Sequence, residues 1–319
     1  MFNYLGRAIM MNGLKKISSL VIAMLFAVTL AAGCGGSGGG GGGIAYLNFD
    51  DSDVFVNIIK TEFEKGASSK GLDVKYFDAK GDINLQIDQM KEVLAGDYKA
   101  IVLIAADGKL IVPMVEQANE AGITVITINR SISGGEHVDV FSDEAEAGKM
   151  QAEYLAKTLP QGANIVYLEG EGNQKNAIQR WEGFSKEIAA KRPDVKILDM
   201  QPAAWSRVEA MKIMVQWLSL FPKIDGVVCG NDQMALGALA ALKATNRLQG
   251  CQVTGVDAVD DALKAVAAGE MVQTIKQDAA KQGAGAVELA EQALKGQKPS
   301  NVNVPFVSIT KENLSQFKK

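Results

Sequence analysis

Three residues in the second half of the chain combine chemistry that suits a small polyhydroxylated ring. Trp205 precedes the capping-box pattern Ser206-x-x-Glu209, which fixes it at the start of a helix. Asn231 and Asp257 each follow a short apolar run, so we expect them just past the carboxyl ends of strands. An aromatic face stacks on the C–H groups of such a ring, and an amide or a carboxylate holds two neighbouring hydroxyls. This combination predicts a binding cleft instead of a catalytic centre.

The composition restricts the possible functions. The chain has 319 residues, 47% hydrophobic and 22% charged, which is long enough for two cores because single cores stop growing at about 250–300 residues. A formal net charge of -4 argues against nucleic acid as a partner. The one histidine, His137, argues against histidine-based catalysis or a multi-histidine metal site. We therefore expect no enzyme activity, no cofactor and no metal.

The N-terminal segment has the order of a secretory signal peptide. Basic Arg7, Lys15 and Lys16 precede an apolar run that ends in Ala31-Ala-Gly-Cys34. A cysteine directly after Ala-Gly resembles a bacterial lipobox and implies lipidation of Cys34, although Ala31 stands where lipoboxes usually have leucine. A plain signal peptide and a permanent membrane anchor remain alternatives, but the run is short for a spanning helix of about 20 residues.

A glycine-rich stretch follows the cysteine. Every residue from 35 to 43 is glycine except Ser37. Such a stretch cannot form a core and behaves as a flexible coil. We expect it to tether the folded body to the lipidated cysteine.

Apolar runs and helical periodicity alternate through the rest of the chain. The run 100–104 is continuously apolar, as strands buried on both faces are, and the apolar residues of 54–69 share one helical stripe. Strands that alternate with helices predict parallel sheets with right-handed crossovers. The segments 99–130 and 225–257 repeat one plan of apolar strand, helix and strand ending in a polar residue. Two such units facing each other form a two-domain clamp.

Several motifs are typical of one family. They are Asp53-Val-Phe55-Val, Thr127-Ile-Asn129-Arg130, Arg180-Trp-Glu-Gly183-Phe184, Pro202-Ala-Ala-Trp205, Asn231-Asp-Gln-Met-Ala-Leu-Gly237, Gly255-Val-Asp257 and Thr274-Ile-Lys-Gln277. Through them the chain, from Ile44 to about Ser308, resembles the ribose- and galactose-binding periplasmic proteins of ABC importers. Sugar-responsive repressors share this fold, but they begin with a DNA-binding helix-turn-helix, where this chain has a signal peptide and glycines.

The resemblance implies an α/β fold of two doubly wound parallel-sheet lobes joined by a three-segment hinge, the type I periplasmic binding protein fold. The chain should cross between lobes near Ser142–Asp143, Gln277–Asp278 and Pro305–Phe306. The implied organisation is a signal peptide at 1–33, a lipidated cysteine and tether at 34–43, an N-terminal lobe at 44–142 plus 278–305, and a C-terminal lobe at 143–277 plus 306–319.

The resemblance also implies which side chains hold the ligand. They are Asp53, Phe55, Asn129, Arg130, Arg180, Trp205, Asn231, Asp257 and Gln277. Trp205 and Phe55 would cover opposite faces of the sugar ring, although core packing is an alternative for both aromatic residues. Gln174 and Asn176 are weaker candidates, in a region where family members vary with their ligand.

The polar candidates have structural alternatives as well. Arg180 and Asp257 are the polar residues best suited to gripping adjacent hydroxyls, and a structural ion pair is the alternative. Asn231 and Asp53 each stand where a helix begins, so either side chain could act as a helix cap.

Four further residues are predicted to have structural roles alone. Trp181 and Trp217 lie within helical runs, and we interpret both as core residues. Asp107 and Asp232 are expected to cap helices or to tie loops.

The resemblance implies a function in solute capture. The protein would bind a monosaccharide or cyclic polyol, of the ribose, galactose/glucose or myo-inositol type, by cleft closure and deliver it to an ABC permease. The alternative is a sugar receptor of the same fold that feeds a chemoreceptor or a sensor kinase. In either case we expect a monomeric, membrane-anchored lipoprotein in the periplasm or at the cell surface, with no nucleic-acid partner.

Overall fold

Helices and strands alternate along residues 43–317, which are the residues that the computed structural model describes. The first part contains β1 (Gly43–Asn48), α1 (Val54–Ser69), β2 (Val74–Asp78), α2 (Ile83–Leu94), β3 (Tyr98–Leu103), α3 (Val112–Glu120), β4 (Thr124–Ile128) and β5 (Val138–Phe141). The second part contains α4 (Glu144–Thr158), β6 (Asn164–Glu169), α5 (Lys175–Lys191), β7 (Lys196–Pro202), α6 (Arg207–Leu220), β8 (Gly226–Cys229), α7 (Asp232–Ala244), β9 (Gln252–Val256), α8 (Asp260–Ala268) and β10 (Gln273–Lys276). The last part contains α9 (Ala279–Leu294), β11 (Val302–Asn303), β12 (Val307–Thr310) and a 3₁₀ helix (Leu314–Gln316).

The strands of this range form two six-stranded sheets. The first sheet has the order β11-β5-β4-β3-β1-β2, and the second sheet has the order β12-β10-β9-β8-β6-β7. Strands β1–β5 occupy the same positions in the first sheet as β6–β10 occupy in the second. The two sheets therefore repeat one topology, as the repeated sequence plan predicted. The pairs are parallel except for β10 and β12, which are antiparallel at the edge of the second sheet.

The described chain passes between the two sheets three times. The first passage follows β5, since α4 packs on β9 and β10 of the second sheet. The second follows β10, since α9 packs on β3, β4 and β5 of the first sheet. The third separates β11 in the first sheet from β12 in the second. We call the three stretches 142–143, 277–278 and 304–306 the crossing segments.

Both sheets are covered by helices, which explains the continuous apolar runs in their central strands. Strand β8 is buried at every residue, and β1 is buried at every residue except the first. The largest fully buried side chains include Trp217, Tyr46 and Tyr167. Burying one large apolar side chain contributes roughly 1.5–3 kcal/mol, so these cores hold the strand ends in fixed positions.

Four helices begin with a side-chain cap at a place that matters for the cavity described below. Asp53 and Asn231 cap α1 and α7, directly after loops that follow strands. Asp143 and Asp278 cap α4 and α9, directly after crossing segments. In each case a side-chain oxygen accepts a hydrogen bond from a backbone N–H of the first turn, a contact that stabilises a helix by about 0.5–2 kcal/mol.

The predicted elements are confirmed, with differences at their ends. Helix α7 begins at Asp232, directly after the Asn231 side chain that caps it. Strand β3 begins at Tyr98, two residues before the apolar run. Strands β11 and β12 were not predicted, since they are defined by pairing with β5 and β10 and not by a pattern of their own.

The predicted signal peptide, Cys34 and nearly all of the glycine tether lie outside the described residues. Within 43–317, no helix is both long enough and apolar enough to cross a membrane.

Candidate functional site

A cavity brings all nine predicted ligand-binding side chains together, with contributions from both sheets. It encloses about 330 Å³ not filled by protein atoms, part of it open to solvent. Its walls are Asp53, Phe55, Val56, Asn129, Arg130, Asn176, Arg180, Trp205, Asn231, Asp257 and Gln277.

The position of these residues in the chain explains why they meet. Asn129 directly follows β4 and Asp257 directly follows β9. Asp53 and Asn231 are the caps of α1 and α7, and Gln277 belongs to the second crossing segment. In open parallel sheets, ligands bind at the carboxyl ends of the strands, which is the edge that these residues occupy.

Trp205 is held rigidly against a glycine. A Cβ atom at Gly170 would lie 2.1 Å from the indole ring, so only glycine fits behind it. The indole Nε1 donates a hydrogen bond of 3.0 Å to Gln174 Oε1, and the Gln174 amide donates to Glu171. Trp205 also has a positive φ of 60°, which L-residues rarely adopt. The ring is therefore oriented before any ligand arrives.

Of the other two tryptophans, Trp217 is a core residue as predicted, whereas Trp181 is partly buried and packs against the core. Trp217 is 1% exposed, and its Nε1 donates to Asp199 Oδ2 at 2.8 Å. Trp181 packs edge-on against Tyr167, with ring centroids 4.8 Å apart. Neither lines the cavity.

Arg180 satisfies both of the alternatives that the sequence left open. It lines the cavity, and it also forms a buried ion pair, with Nε 2.6 Å from Glu144 Oε2. Its terminal nitrogens donate to the Gly230 carbonyl at 2.6 Å and to Gln277 Oε1 at 3.2 Å. The Trp205 ring centroid lies 5.5 Å from its guanidinium carbon. The guanidinium is thus fixed on one side and faces the cavity on the other.

Asp257 is a buried carboxylate on the cavity wall. Burial raises its pKa well above the ordinary value of 3.8, with Arg180 opposing the shift and the neighbouring carboxylate of Asp232 reinforcing it. Its backbone has a positive φ of 121°. Asp232 ties the loop beneath, since it accepts hydrogen bonds from the Val259 N–H at 3.0 Å and the Thr274 hydroxyl at 2.8 Å. Burial raises the pKa of Asp232 to about 7.

Arg130 presents its guanidinium from the first sheet. The guanidinium carbon lies 3.4 Å from the centroid of the Phe49 ring, so the planar group stacks on the aromatic face. Burial lowers the pKa of Arg130, while the charges of Asp53 and Glu171 favour its protonated form. A stacked guanidinium keeps its N–H edge free to donate in plane.

Three residues combine a structural role with a place on the cavity wall. Asp53 Oδ1 accepts from the Val56 N–H at 2.9 Å, and Asn231 Oδ1 accepts from the Met234 N–H at 2.9 Å, so both are caps. Phe55 is 8% exposed and packs in the core of the first sheet. The structural alternative is therefore present for each, together with exposure to the cavity.

Gln277 has an unused donor. Its Oε1 accepts from Arg180, but its buried Nε2 has no hydrogen-bond partner in the described part of the chain. A buried amide donor without a partner costs about 1–3 kcal/mol. A ligand hydroxyl in the cavity would satisfy it.

One wall residue and two neighbours were missed by the sequence reasoning. Val56 lines the cavity through the first turn of α1, and Phe49 supports Arg130. Glu144, which pairs with Arg180, gave no signal in the sequence because the contact spans 36 positions. Phe49 could have been found, since it directly follows β1. Asn176, a weaker candidate, lines the cavity.

Within residues 43–317, no group of three or more His, Cys, Asp or Glu side chains is arranged to hold a metal ion.

Asp107, like Asp232, ties a loop, because its side chain accepts hydrogen bonds from the backbone N–H groups of Lys109 and Leu110.

Comparison with known protein families shows to which family this chain belongs. The model of the periplasmic binding protein domain family matches residues 44–298. The chain belongs to this family. The predicted resemblance and the predicted fold of two parallel-sheet lobes are thereby confirmed.

Individual relatives are similar over most of their length. The chain is 30% identical over 286 residues to the ribose import binding protein RbsB of Escherichia coli, covering 89% of this chain and 94% of that protein. It is 31% identical over 278 residues to a putative rhizopine-binding protein of Rhizobium meliloti, covering 84% and 89%. A solute-binding protein of an ABC transporter from Bacillus halodurans, solved with myo-inositol, has a TM-score of 0.83 and 30% identity over 88% of this chain and 98% of that one.

Proposed function

We propose that this chain is an extracytoplasmic substrate-binding protein that captures a monosaccharide or cyclic polyol and delivers it to an ABC permease. The observation that carries the proposal is a cavity of about 330 Å³ whose buried polar groups include an amide donor without a partner. The relatives with ribose and inositol in their names support the same ligand class. They are binding proteins, which supports a role without catalysis.

The wall chemistry suits a ring with several adjacent hydroxyls. The Asp257 carboxylate accepts two hydroxyl hydrogens, and Arg180, Arg130 and the Gln277 amide donate to hydroxyl oxygens. The fixed indole of Trp205 offers an aromatic face to the C–H groups of the ring. Donors thus face acceptors around the ring edge, while its apolar face meets an aromatic one.

In this proposal the crossing segments mark the boundaries between two lobes. We assign 44–142 plus 278–305 to the N-terminal lobe and 143–277 plus 306–319 to the C-terminal lobe. The arrangement of β1–β5 and β11 in one sheet and β6–β10 and β12 in the other supports this division. Rotation about three short segments would close the cavity over a ligand.

The proposal includes export and anchoring. Residues 1–33 would be removed as a signal peptide, and Cys34 would carry lipid. The support is the order of basic, apolar and small residues in the sequence. Membership of the periplasmic binding protein domain family supports an extracytoplasmic location.

Titration calorimetry of the purified protein tests the ligand class. The panel is myo-inositol, D-ribose, D-galactose and D-glucose, with the disaccharide sucrose as a control. We expect one-to-one binding of at least one panel member near 1 µM, which corresponds to about -8 kcal/mol. A folded protein, verified by circular dichroism, that gives no binding heat with any panel member would rule the proposal out.

A further inference from the structure

Arg180 has more partners than a ligand contact needs. The side chain is 2% exposed, and it donates to Glu144 Oε2, the Gly230 carbonyl and Gln277 Oε1. A guanidinium has five N–H groups, so three bonds leave two of them for a ligand. The three protein bonds therefore fix the group without exhausting it.

The partners of this guanidinium lie beside all three crossing segments. Glu144 is the first residue of α4, directly after the first crossing segment, and it is 2.6 Å away. Gln277 lies in the second crossing segment, at 3.2 Å. Phe306 ends the third, and its ring centroid lies 5.8 Å from the guanidinium carbon, within range of a cation–π contact. One charged group thus contacts every passage between the sheets.

Burying the Glu144 carboxylate at this position costs free energy. It is 5% exposed, and its Oε1 has no hydrogen-bond partner within residues 43–317. Burial raises the pKa of Glu144, and Arg180 opposes the shift. Buried ion pairs are often no more stabilising than apolar residues of the same volume, so stability alone does not account for the pair.

We propose that Glu144 is a positioning residue that holds Arg180 so that a ligand bound to this guanidinium is sensed at all three crossing segments. This inference rests on the proposed function for the identity of the ligand. Ligand hydrogen bonds to the two remaining N–H groups favour the arrangement in which Glu144, Gln277 and Phe306 all contact Arg180. A ligand shifts a conformational equilibrium only through such differential contacts.

Hydrogen exchange on the full protein tests the inference through Glu144→Gln. This variant keeps an acceptor for Arg180 Nε and removes the charge. Glu146→Gln is the matched control, because it lies on the same helix turn and breaks only a surface pair with Lys149. Amides of the crossing segments serve as reporters, such as the Val304 N–H, which is bonded to the Phe141 carbonyl.

The expected result has a ligand-free arm and a ligand arm. Without ligand, Glu144→Gln exchanges faster than the wild type in peptides 142–146, 277–281 and 302–307, and Glu146→Gln does not. With the panel member that binds the wild type, Glu144→Gln loses affinity by roughly 5- to 150-fold, the usual range of a coupling between sites. In Glu144→Gln, the ligand also slows hydrogen exchange in the three peptides less than it does in the wild type.

Faster exchange confined to α4 and α5 would overturn the inference, since the ion pair would then be local to one lobe. The ligand-free arm gives this answer even if no panel member binds, so failure of the proposed function is distinguished from failure of the inference. If Glu144→Gln does not fold, Glu144→Asp takes its place. It keeps the charge but shortens the reach, and the same pattern of exchange is expected.

Discussion

Three residues on the cavity wall hold a backbone conformation that favours glycine. Asn129, Trp205 and Asp257 have φ angles of 64°, 60° and 121°. Such conformations cost of order 1–3 kcal/mol each and persist where the surrounding fold imposes them. Here the imposing structure is visible for two of them, as Gly170 and Gln174 hold the indole and Asp232 ties the loop after Asp257. Strain at these positions is consistent with side chains fixed for recognition.

Replacing Trp205 by alanine should remove the aromatic face without unfolding the protein. Stacking contributes roughly 0.5–1.5 kcal/mol beyond the area it buries, so we expect the loss of stacking alone to lower affinity for the panel ligand about two- to tenfold. Calorimetry measures the loss, and the melting temperature checks the fold. Trp181→Phe, a partly buried tryptophan that does not line the cavity, is the control and should leave affinity unchanged. Equal affinity of Trp205→Ala and wild type would exclude the residue from the site.

Asp257→Asn should stabilise the ligand-free protein at high pH and weaken binding. The pKa of Asp257 is raised by burial, so its contribution to stability is full below about pH 4 and is lost as pH rises through the raised value. The asparagine of the variant does not titrate, so the variant does not lose stability in this way as pH rises. Calorimetric melting at pH 4 and pH 8 should therefore show a larger gain in melting temperature at pH 8. A variant that melts with the wild type at pH 8 would contradict the burial argument. The amide has one acceptor oxygen instead of two, so affinity should fall.

Residue identities in the cavity followed from the motifs, but their double roles did not. A sequence places Asp53 and Asn231 at helix starts, and it also places them after strands; it cannot show that one side chain caps the helix and lines the cavity at once. Glu144 escaped for a related reason. Its partner Arg180 lies on another helix, and no local pattern encodes a contact between helices.

At the scale of elements, local signals fixed the ends of helices better than the ends of strands. Helix α1 covers the predicted segment 54–69, because a cap, an apolar stripe and a terminating residue all lie within or directly beside that segment. Strand ends depend on neighbours, as β3 shows by extending to Tyr98 beside β1. The two residues of β11 exist only through pairing with β5.

The cap of α7 offers a way to separate helix stability from ligand binding. Asn231→Ala removes the acceptor for the Met234 N–H and should lower the free energy of unfolding by about 1 kcal/mol. Asn231→Asp keeps a capping oxygen and should keep that stability. Urea unfolding measures both. If the amide also serves the ligand, both variants lose affinity, whereas Asp82→Ala, at the cap of α2 away from the cavity, loses stability alone. Full affinity in Asn231→Asp would leave the residue with the capping role only.

At the scale of the molecule, the two sheets share one strand order and both present their carboxyl edges to one cavity. The repeated sequence plan was enough to predict this, since right-handed crossovers leave few arrangements for two such units. It was not enough to predict the antiparallel strand β12. That strand returns the chain to the second sheet after the third crossing segment. Only residues 304–306 separate β11 from β12, so the chain enters the second sheet at its carboxyl edge and β12 runs back antiparallel to β10.

The last prediction concerns the segment before the fold. Lipid on Cys34 would hold the protein at a membrane, because each buried methylene group of an acyl chain contributes about 0.8 kcal/mol. From its composition we expect the glycine-rich stretch at 35–42 to behave as a flexible coil of about 14–17 Å, which would leave the body free to turn. Expressed in a Gram-negative host, the full chain should therefore sediment with membranes, and Cys34→Ala should be recovered in the soluble fraction. Cys251→Ala changes a buried free thiol and should sediment as the wild type does. A wild-type chain found wholly in the soluble fraction would leave the signal peptide without an anchor.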